Sequence, residues 1–472
     1  MLRININTKL LFVVAILIVM SYYQCFWFYF RYDTFTWLDK TMFDPVDWHY
    51  FFDVNKASPY FAPVGNVLFF VMYRLFGLEA FWYHLCLLTI HILNACLVYY
   101  LAARIFRNSL QAFLASLLFG VFPAHRDAVV YVATIHHTLA TTFVILSFMS
   151  FAGFLHTNRR RYFFLTLIYF VLGLLTKQVA AVMPFLFLGY EYLALGNRIS
   201  KLNLKKYVPV LFIWVIYLLT NYAINRANTA YIPIQAEYYR VGSHLLLNFI
   251  EYLKYMAFPF SNIVNFIEKH IFPPAQNTYP YIQNSLFVLF VVLVTYHAVK
   301  LREVRFSFLW VFVALLPILP FVFPPQTRYI YLASIGFCMM LAAILTNVAA
   351  NTRLDRAAVL AILIVYFITN FSNMYSLAGD YERWRRWTSE IRSHFPSLPA
   401  NSKLYLIDFP QLAISRDDEI SSAIRVALKN PSLEVHALSL EEYSRVENDI
   451  ASYAMRYENG HFHMPVIMPQ GH

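Results

Sequence analysis

Leu10-Leu-Phe-Val-Val-Ala-Ile-Leu-Ile-Val-Met-Ser-Tyr-Tyr-Gln-Cys-Phe-Trp-Phe-Tyr-Phe30 runs without a charge into Arg31-Tyr-Asp-Thr-Phe-Thr-Trp-Leu-Asp-Lys40. The first part has the roughly twenty apolar residues at which a helix crosses a bilayer. Arg3 and Lys9 precede it and no small-residue cleavage site follows, so it reads as a spanning helix and not as a signal-peptide core. The second part changes character at once. Asp33, Asp39, Asp44, Asp47 and Asp53 set five carboxylates among Trp37, Phe43, Trp48, Tyr50, Phe51 and Phe52. A segment both acidic and aromatic is expected to lie against the membrane surface with its acids toward a water-filled cleft. Ionisable groups at such an interface are candidates for function, because their surroundings perturb them and restrict what approaches. This loop is the expected catalytic edge.

The rest of the chain supports a polytopic membrane protein. Hydrophobic residues make up 60%, charged residues 13%, and the mean hydropathy is +0.52, far from the soluble balance of about half apolar and a quarter charged. Aromatic residues at 19% suit a protein with much surface at headgroup level. Twelve glycines leave little room for Gly-lined phosphate loops. The net charge of +11 is dispersed in short clusters between apolar runs, which points to topology signals and anionic lipid headgroups instead of nucleic acid. Cys25, Cys86, Cys96 and Cys338 all fall inside apolar runs and read as packing residues, not a disulfide framework.

Apolar runs lie near 10–30, 81–103, 110–123, 134–156, 162–176, 179–195, 207–225, 283–299, 306–322, 330–347 and 357–376, giving an expectation of eleven spans. Basic clusters at Arg3/Lys9, Arg104/Arg107, Arg159 to Arg161, Arg198 to Lys206, Lys300 to Arg305 and Arg353/Arg356 fall on every second connection. Positive-inside placement puts these and the N-terminus in the cytoplasm. The opposite face then receives the acidic loop 31–63, the turns at 123–131 and 176–178, the segment 226–281, the loop 323–328 and everything after about 377. Asn66 to Gly77 and His244 to Pro259 read as interfacial helices, the second amphipathic. The polar segment 379–394 leads to a change of pattern: a strand at Leu404 to Asp408, a helix at Asp417 to Lys429, a strand at Leu433 to Leu438 and a helix at Leu440 to Glu447. The domains expected are therefore a transmembrane catalytic domain over 1–378 and a small extracytoplasmic α/β domain over 395–472.

Basic residues on the outer face need a reason that topology does not supply. Lys177, in Gly173-Leu-Leu-Thr-Lys-Gln-Val-Ala-Ala-Val-Met-Pro184, sits at a tight hairpin, and Arg328, in Pro324-Pro-Gln-Thr-Arg-Tyr-Ile-Tyr-Leu332, just precedes a span. On the face that holds the acidic loop they suit capture of a phosphate or pyrophosphate; the plainer alternative is anchorage of helix ends in headgroups. The turn Phe122-Pro-Ala-His-Arg-Asp-Ala-Val-Val-Tyr131 gathers His125, Arg126 and Asp127, with His136 and His137 following. A metal site is the weaker reading, since neighbouring residues do not share a helix face and no HExxH or CxxC pattern occurs. Hydrogen bonding to substrate or to the acidic loop is favoured. His91, on an apolar face within a span, reads as a packing histidine. No GxGxxG, Walker, GxSxG or kinase signature appears, and the longest cytoplasmic connection is too short to hold a nucleotide-sugar domain, so a membrane-borne donor is expected.

The ordered outer-face segments resemble a known family. Asp33 after the first span is similar to the first-loop acid of GT-C glycosyltransferases, the membrane enzymes that use polyprenyl-phosphate-linked sugars. Tyr60-Phe-Ala-Pro63, Tyr73-Arg-Leu-Phe-Gly77, Tyr83-His84 and His91-Ile-Leu-Asn94 resemble a series in protein O-mannosyltransferase relatives. Pro123-Ala-His-Arg-Asp-Ala-Val, Leu175-Thr-Lys-Gln and Arg328-Tyr-Ile-Tyr-Leu-Ala-Ser-Ile-Gly336 resemble motifs of the tetratricopeptide-bearing transmembrane mannosyltransferases and their bacterial homologues. The likeness covers about 20–340. It departs at Ala62, where the family usually has Arg, at Gln178 in place of Glu, at His136-His137, and after the spans, where no repeat array follows.

The resemblance implies an inverting glycosyl transfer on the outer face of a bacterial inner membrane. Asp33 is the expected general base, with Asp127 orienting the acceptor or tuning Asp33. His125, Lys177, Gln178, Arg328, Tyr329 and Tyr331 are the expected substrate-binding residues, the two cations meeting the departing phosphate. Expected partners are a polyprenyl-phosphate-linked sugar, a protein, lipid or glycan acceptor, and membrane lipids, with no nucleic acid. No motif calls for a cofactor, and a divalent cation stays open. The competing reading is a transporter or flippase of a lipid-linked saccharide, for which internal repeats and midplane charges would be expected; a non-catalytic scaffold is a third.

Overall fold

The computed structural model describes residues 8–52, 61–196, 204–227, 239–259, 279–322, 326–349, 353–410, 417–444 and 452–463. Asp53, Tyr60, Pro324, Pro325 and much of the expected outer segment 226–281 lie outside them. Contacts divide the chain into two compact units: residues 1–25, 59–65 and 84–376 in the first, and residues 26–58, 66–83 and 377–472 in the second.

The first unit is helical. Uninterrupted apolar runs form helices at Thr8–Tyr22, Ala80–Phe106, Ile135–Thr157, Val208–Ala227 and Tyr279–Lys300. Six helical stretches among the described residues are long and apolar enough to cross a membrane, and seven if the pair Ser109–Gly120 and Pro123–Val130, bent by 43°, counts as one span. The protein is thus a multi-pass membrane protein. The expected count of eleven is not reached on this measure, because the runs at 162–176, 306–322 and 330–347 form shorter helices, Arg160–Thr176, Arg302–Leu315 and Ala333–Ala349, and the run at 179–195 is broken into 3-10, α and π turns. Phe212, Leu219, Val288 and Val292 stand more than half exposed, the surface expected of residues that face lipid tails. Local sequence sets the ends. Asn108 caps Ser109–Gly120 by accepting from the Leu110 and Gln111 amides, and Asn158 closes Ile135–Thr157 in the left-handed conformation.

Ala333–Ala349 packs closely against Arg302–Leu315 at Gly336, where a Cβ would stand 2.5 Å from the Ser307 carbonyl oxygen and 2.8 Å from Trp310 Cβ. Only glycine fits that approach. His244–Ala257 is amphipathic as expected, with Tyr252, Leu253 and Met256 buried and Leu246 and Leu247 exposed.

The second unit holds the helix Asp33–Phe43 and the C-terminal residues. The polar segment 379–394 continues the helix of the last apolar run: Arg353–His394 is one 42-residue helix. Its Arg, Glu and Trp residues sustain helix, and it stops before Pro396, which cannot continue it. Beyond it lies a four-stranded sheet in the order Glu434–Leu438, Lys403–Ile407, Ser452–Glu458, His461–His463. The first two pairings are parallel, with Lys403 opposite both Glu434 and Ser452, and the last is antiparallel, with Arg456 opposite His463. The first two strands and the helix Asp417–Leu428 match expectation; the strands after 451 carry mixed polarity and were not anticipated. Trp384, Trp387 and Ile391 of the long helix line a small apolar hollow with Leu406, Phe409, Ile420, Ala423 and Ile424.

Candidate active site

The helix Arg160–Thr176 ends at Lys177, whose extended backbone turns the chain into the 3-10 segment Gln178–Val182. Arg328 stands in a second 3-10 segment, Thr327–Ile330. These two turns, about 150 residues apart in sequence, lie in the same region, near enough that the charges of both Lys177 and Arg328 are felt at the His137 imidazole. Aromatic rings frame them. The Arg328 guanidinium lies 5.4 Å from the Tyr329 ring centroid and 5.8 Å from that of Tyr131. Tyr329 meets His137 edge-on at 5.6 Å and stacks on Phe321 at 5.2 Å. Tyr239 packs on Phe321 at 4.5 Å and accepts a 3.4 Å hydrogen bond from Gln178 Nε2. Four sequence-expected residues, Lys177, Gln178, Arg328 and Tyr329, therefore share one region of the first unit. Two cations in one region create a positive field, which is favourable toward an anion.

Asp127 joins this region through its neighbour: Thr327 Oγ1 donates to Asp127 Oδ2 at 2.6 Å, and Arg126 Nε stands 3.8 Å from the same oxygen. His125 and Tyr331 lie deeper, fully or almost fully buried. Ser334 Oγ donates to the Tyr331 carbonyl at 2.8 Å and lies 2.6 Å from His125 Nε2. With its single proton given to the carbonyl, the serine accepts from the imidazole, which assigns the proton of His125 to Nε2. His91 Nε2 donates to the Gly120 carbonyl at 2.9 Å, so its Nδ1 accepts from the Tyr331 hydroxyl at 2.8 Å. Asn94 Nδ2 donates to the Tyr331 hydroxyl at 3.2 Å, and Thr142 donates to Asn94 Oδ1 at 2.7 Å. The packing histidine at 91 is thus one node of a buried polar web that fixes Tyr331. Within Arg328-Tyr-Ile-Tyr331, Tyr329 faces the cations and Tyr331 the web.

Asp33 opens the helix Asp33–Phe43 in the second unit. A carboxylate in the first turn is favoured by the helix dipole. The residue before it, Tyr32, has φ 46° and ψ −133°, a conformation that persists only where surroundings over-determine it. They do so here. Arg31 Nη1 donates to Asp380 Oδ2 at 2.7 Å, and the Tyr32 hydroxyl donates to Asp380 Oδ1 at 3.2 Å. The Arg31 guanidinium lies 4.5 Å from the Tyr381 ring centroid, and Tyr32 meets Trp384 edge-on. Burial, with the Asp380 carboxylate adding to it, pushes the Tyr32 phenol up to about 12. Sequence did not single out Asp380, Tyr131, Tyr239 or Phe321; of these only Tyr131 lay in a quoted motif. Among the described residues no three His, Cys, Asp or Glu side chains group as a metal site.

Residues 59–224 match the family of dolichyl-phosphate-mannose-protein mannosyltransferases. No curated protein matches the sequence. Among solved structures, the ArnT of Cupriavidus metallidurans bound to undecaprenyl phosphate superposes with a TM-score of 0.55 at 15% identity, over 95% of this chain and 92% of that one. The oligosaccharyltransferase of Archaeoglobus fulgidus, in complex with Zn and sulfate, gives 0.53 at 13% identity over 91% of this chain. This chain spans 62% of its length. The same archaeal protein with an inhibitory peptide and a dolichol-phosphate gives 0.51 at 12%, over 91% of this chain and 64% of that one. The motif resemblance to GT-C glycosyltransferases of the mannosyltransferase type is borne out, and the chain has their fold.

Proposed function

We propose that this protein is a membrane glycosyltransferase that moves a sugar from a polyprenyl-phosphate carrier to an acceptor hydroxyl on the outer face of the membrane. The observation that carries this is the gathering of Arg328, Tyr329 and His137 with the turn that bears Lys177 and Gln178 in one aromatic frame. In this reading Asp33 takes the proton of the acceptor hydroxyl as its oxygen attacks the anomeric carbon, and inversion follows from the single displacement. The bond from that carbon to the phosphate oxygen breaks, and polyprenyl phosphate leaves with the electron pair. Lys177 and Arg328 stabilise the charge that develops on it, the guanidinium as a fork and the ammonium as a point charge. Gln178, Tyr329 and Asp127 line or hold this anion site, while His125 and Tyr331 act from behind it by fixing the backbone on which Arg328 stands.

The carrier follows from chemistry as well as likeness: a phosphate on a lipid reaches a cationic turn at a membrane surface without a soluble nucleotide domain. Undecaprenyl phosphate is the ligand in the ArnT structure and dolichol-phosphate in the archaeal one, which supports the same class here. The archaeal structure holds Zn; the described residues here supply no three-ligand set for such an ion, and no step is assigned to it. The shorter apolar helices also cross the bilayer in this reading, giving about eleven spans, with the N-terminus cytoplasmic and residues 395–472 forming the small outer domain. The test is incubation of purified protein with a panel of polyprenyl-phosphate sugars. Acceptor-dependent release of the free carrier from at least one is expected, and release from none in folded protein would overturn the proposal.

A further inference from the structure

The second unit contains an ion pair that neither the fold nor the transfer chemistry explains. Asp39, six residues after Asp33 on the same helix, accepts from Arg425 Nε at 3.2 and 3.1 Å on its two oxygens. It also bonds the Arg425 Nη2 group and accepts from Ser422 Oγ at 2.9 Å. Both Arg425 and Ser422 belong to Asp417–Leu428, the helix of the small α/β domain. Asp39 is 15% exposed and Arg425 26%, so the pair is sheltered, and a fork engaging both carboxylate oxygens adds direction as well as attraction. Close to the helix start, Phe35 packs on Trp384 at 5.4 Å, and Trp384 lines the apolar hollow with Ile420, Ala423 and Ile424 of the Arg425 helix. At the helix start, Arg31 and Tyr32 are tied to Asp380. The helix that presents Asp33 is therefore held just before its start and again beyond its middle by ion pairs of opposite polarity, with a strained residue beside Asp33 between them.

We infer that the small C-terminal domain is a brace for the Asp33 helix, and that Arg425, through Asp39, is a positioning residue for the transfer reaction. This rests on the assignment of Asp33 as the base. The arrangement explains why a domain too small to bury a large core of its own follows the spans: its helix exists against Asp33–Phe43. A base displaced by about 1 Å loses on the order of a hundredfold in rate, so a sheltered fork six residues further along the helix is a means of keeping it in place.

The experiment uses the full-length protein in detergent. Arg425→Gln is compared with wild type by hydrogen exchange and by carrier-release kinetics. The brace predicts that amides of 33–43 exchange about tenfold faster or more, that kcat falls at least tenfold while the donor KM stays within about twofold, and that the charge-swapped pair Asp39→Arg with Arg425→Asp recovers much of both. Unchanged exchange over 33–43 overturns the brace, as does faster exchange with wild-type kcat. Loss of protection throughout the protein, not repaired in the swapped pair, also overturns it. Faster exchange confined to 33–43 in a protein whose wild type releases no carrier would sink the proposed transfer reaction while leaving the mechanical brace in place.

Discussion

Thr327 Oγ1 donates a 2.6 Å hydrogen bond to Asp127 Oδ2, joining the turn after residue 122 to the residue directly before Arg328. A hydrogen bond to a charged group contributes about 1.5–3 kcal/mol, enough to decide which way a short 3-10 turn presents its arginine. Thr327→Val keeps the shape and removes the donor. Transfer is expected to fall about tenfold, with the donor KM raised; a wild-type KM would show that the bond does not serve the anion site.

Asp33→Asn preserves volume and removes the base. In membranes containing folded protein, transfer should drop by about a hundredfold or more, the usual size of a general-base contribution. Near-normal turnover would remove Asp33 from the mechanism.

Arg328→Lys keeps the charge and loses the planar fork. Because Tyr131 and Tyr329 flank the guanidinium and ammonium is not its equivalent at a stacked, forked site, donor binding should weaken about tenfold, as for one lost charge-assisted bond. Lys177→Met should weaken it further by removing a charge. Both effects are measured as donor KM in the carrier-release reaction, and equal KM values for Arg328→Lys and wild type would contradict the fork.

Gly336→Ala tests the helix contact below the site. The added Cβ meets the Ser307 carbonyl oxygen at 2.5 Å, and backbone cannot give as a flexible side chain can. Overpacking of this kind costs roughly 1–3 kcal/mol. The melting temperature in detergent should fall, and an unchanged value would mean that the two helices separate freely.

Asp44, at the end of the Asp33–Phe43 helix and still open to solvent on one side, has its carboxyl pushed up by partial desolvation, with Lys40 and Arg425 opposing and Asp39 adding to the effect. A raised carboxyl favours the fold while protonated, so its contribution is present below the ordinary range near 3.8 and is lost as pH rises through the folded value. Asp44→Asn should therefore melt higher than wild type at pH 7, and the difference should shrink at pH 3. A variant that melts lower at pH 7 would show that Lys40 and Arg425 outweigh desolvation.

The spans were legible because a bilayer accepts little besides long apolar helices, and the topology rule made Lys177 and Arg328 conspicuous by exclusion. That Gln178 and Tyr329 join them follows from adjacency along the chain. Which tyrosine of Tyr329-Ile-Tyr331 would face the cations was not legible, since both are aromatic and stand in or beside one short 3-10 turn, and only the partners of Tyr331, His91 and Asn94 on another helix, settle it. Of the pair His136 and His137, it is the His137 ring that meets Tyr329. Asp39 with Arg425 and Arg31 with Asp380 were hidden because 386 and 349 residues separate the partners and no local pattern records such pairing.

That separation also orders events in time. Arg31 and Tyr32 leave the ribosome early, whereas Asp380 is made only after every earlier helix, and Arg425 later still. Chains fold from the first-made end as they are synthesised, so a nascent molecule can complete its cationic turn before its acid is seated. A chain halted at residue 376 would lack both Asp380 and Arg425, leaving Arg31 and Asp39 without the two ion pairs that anchor the stretch around the Asp33–Phe43 helix.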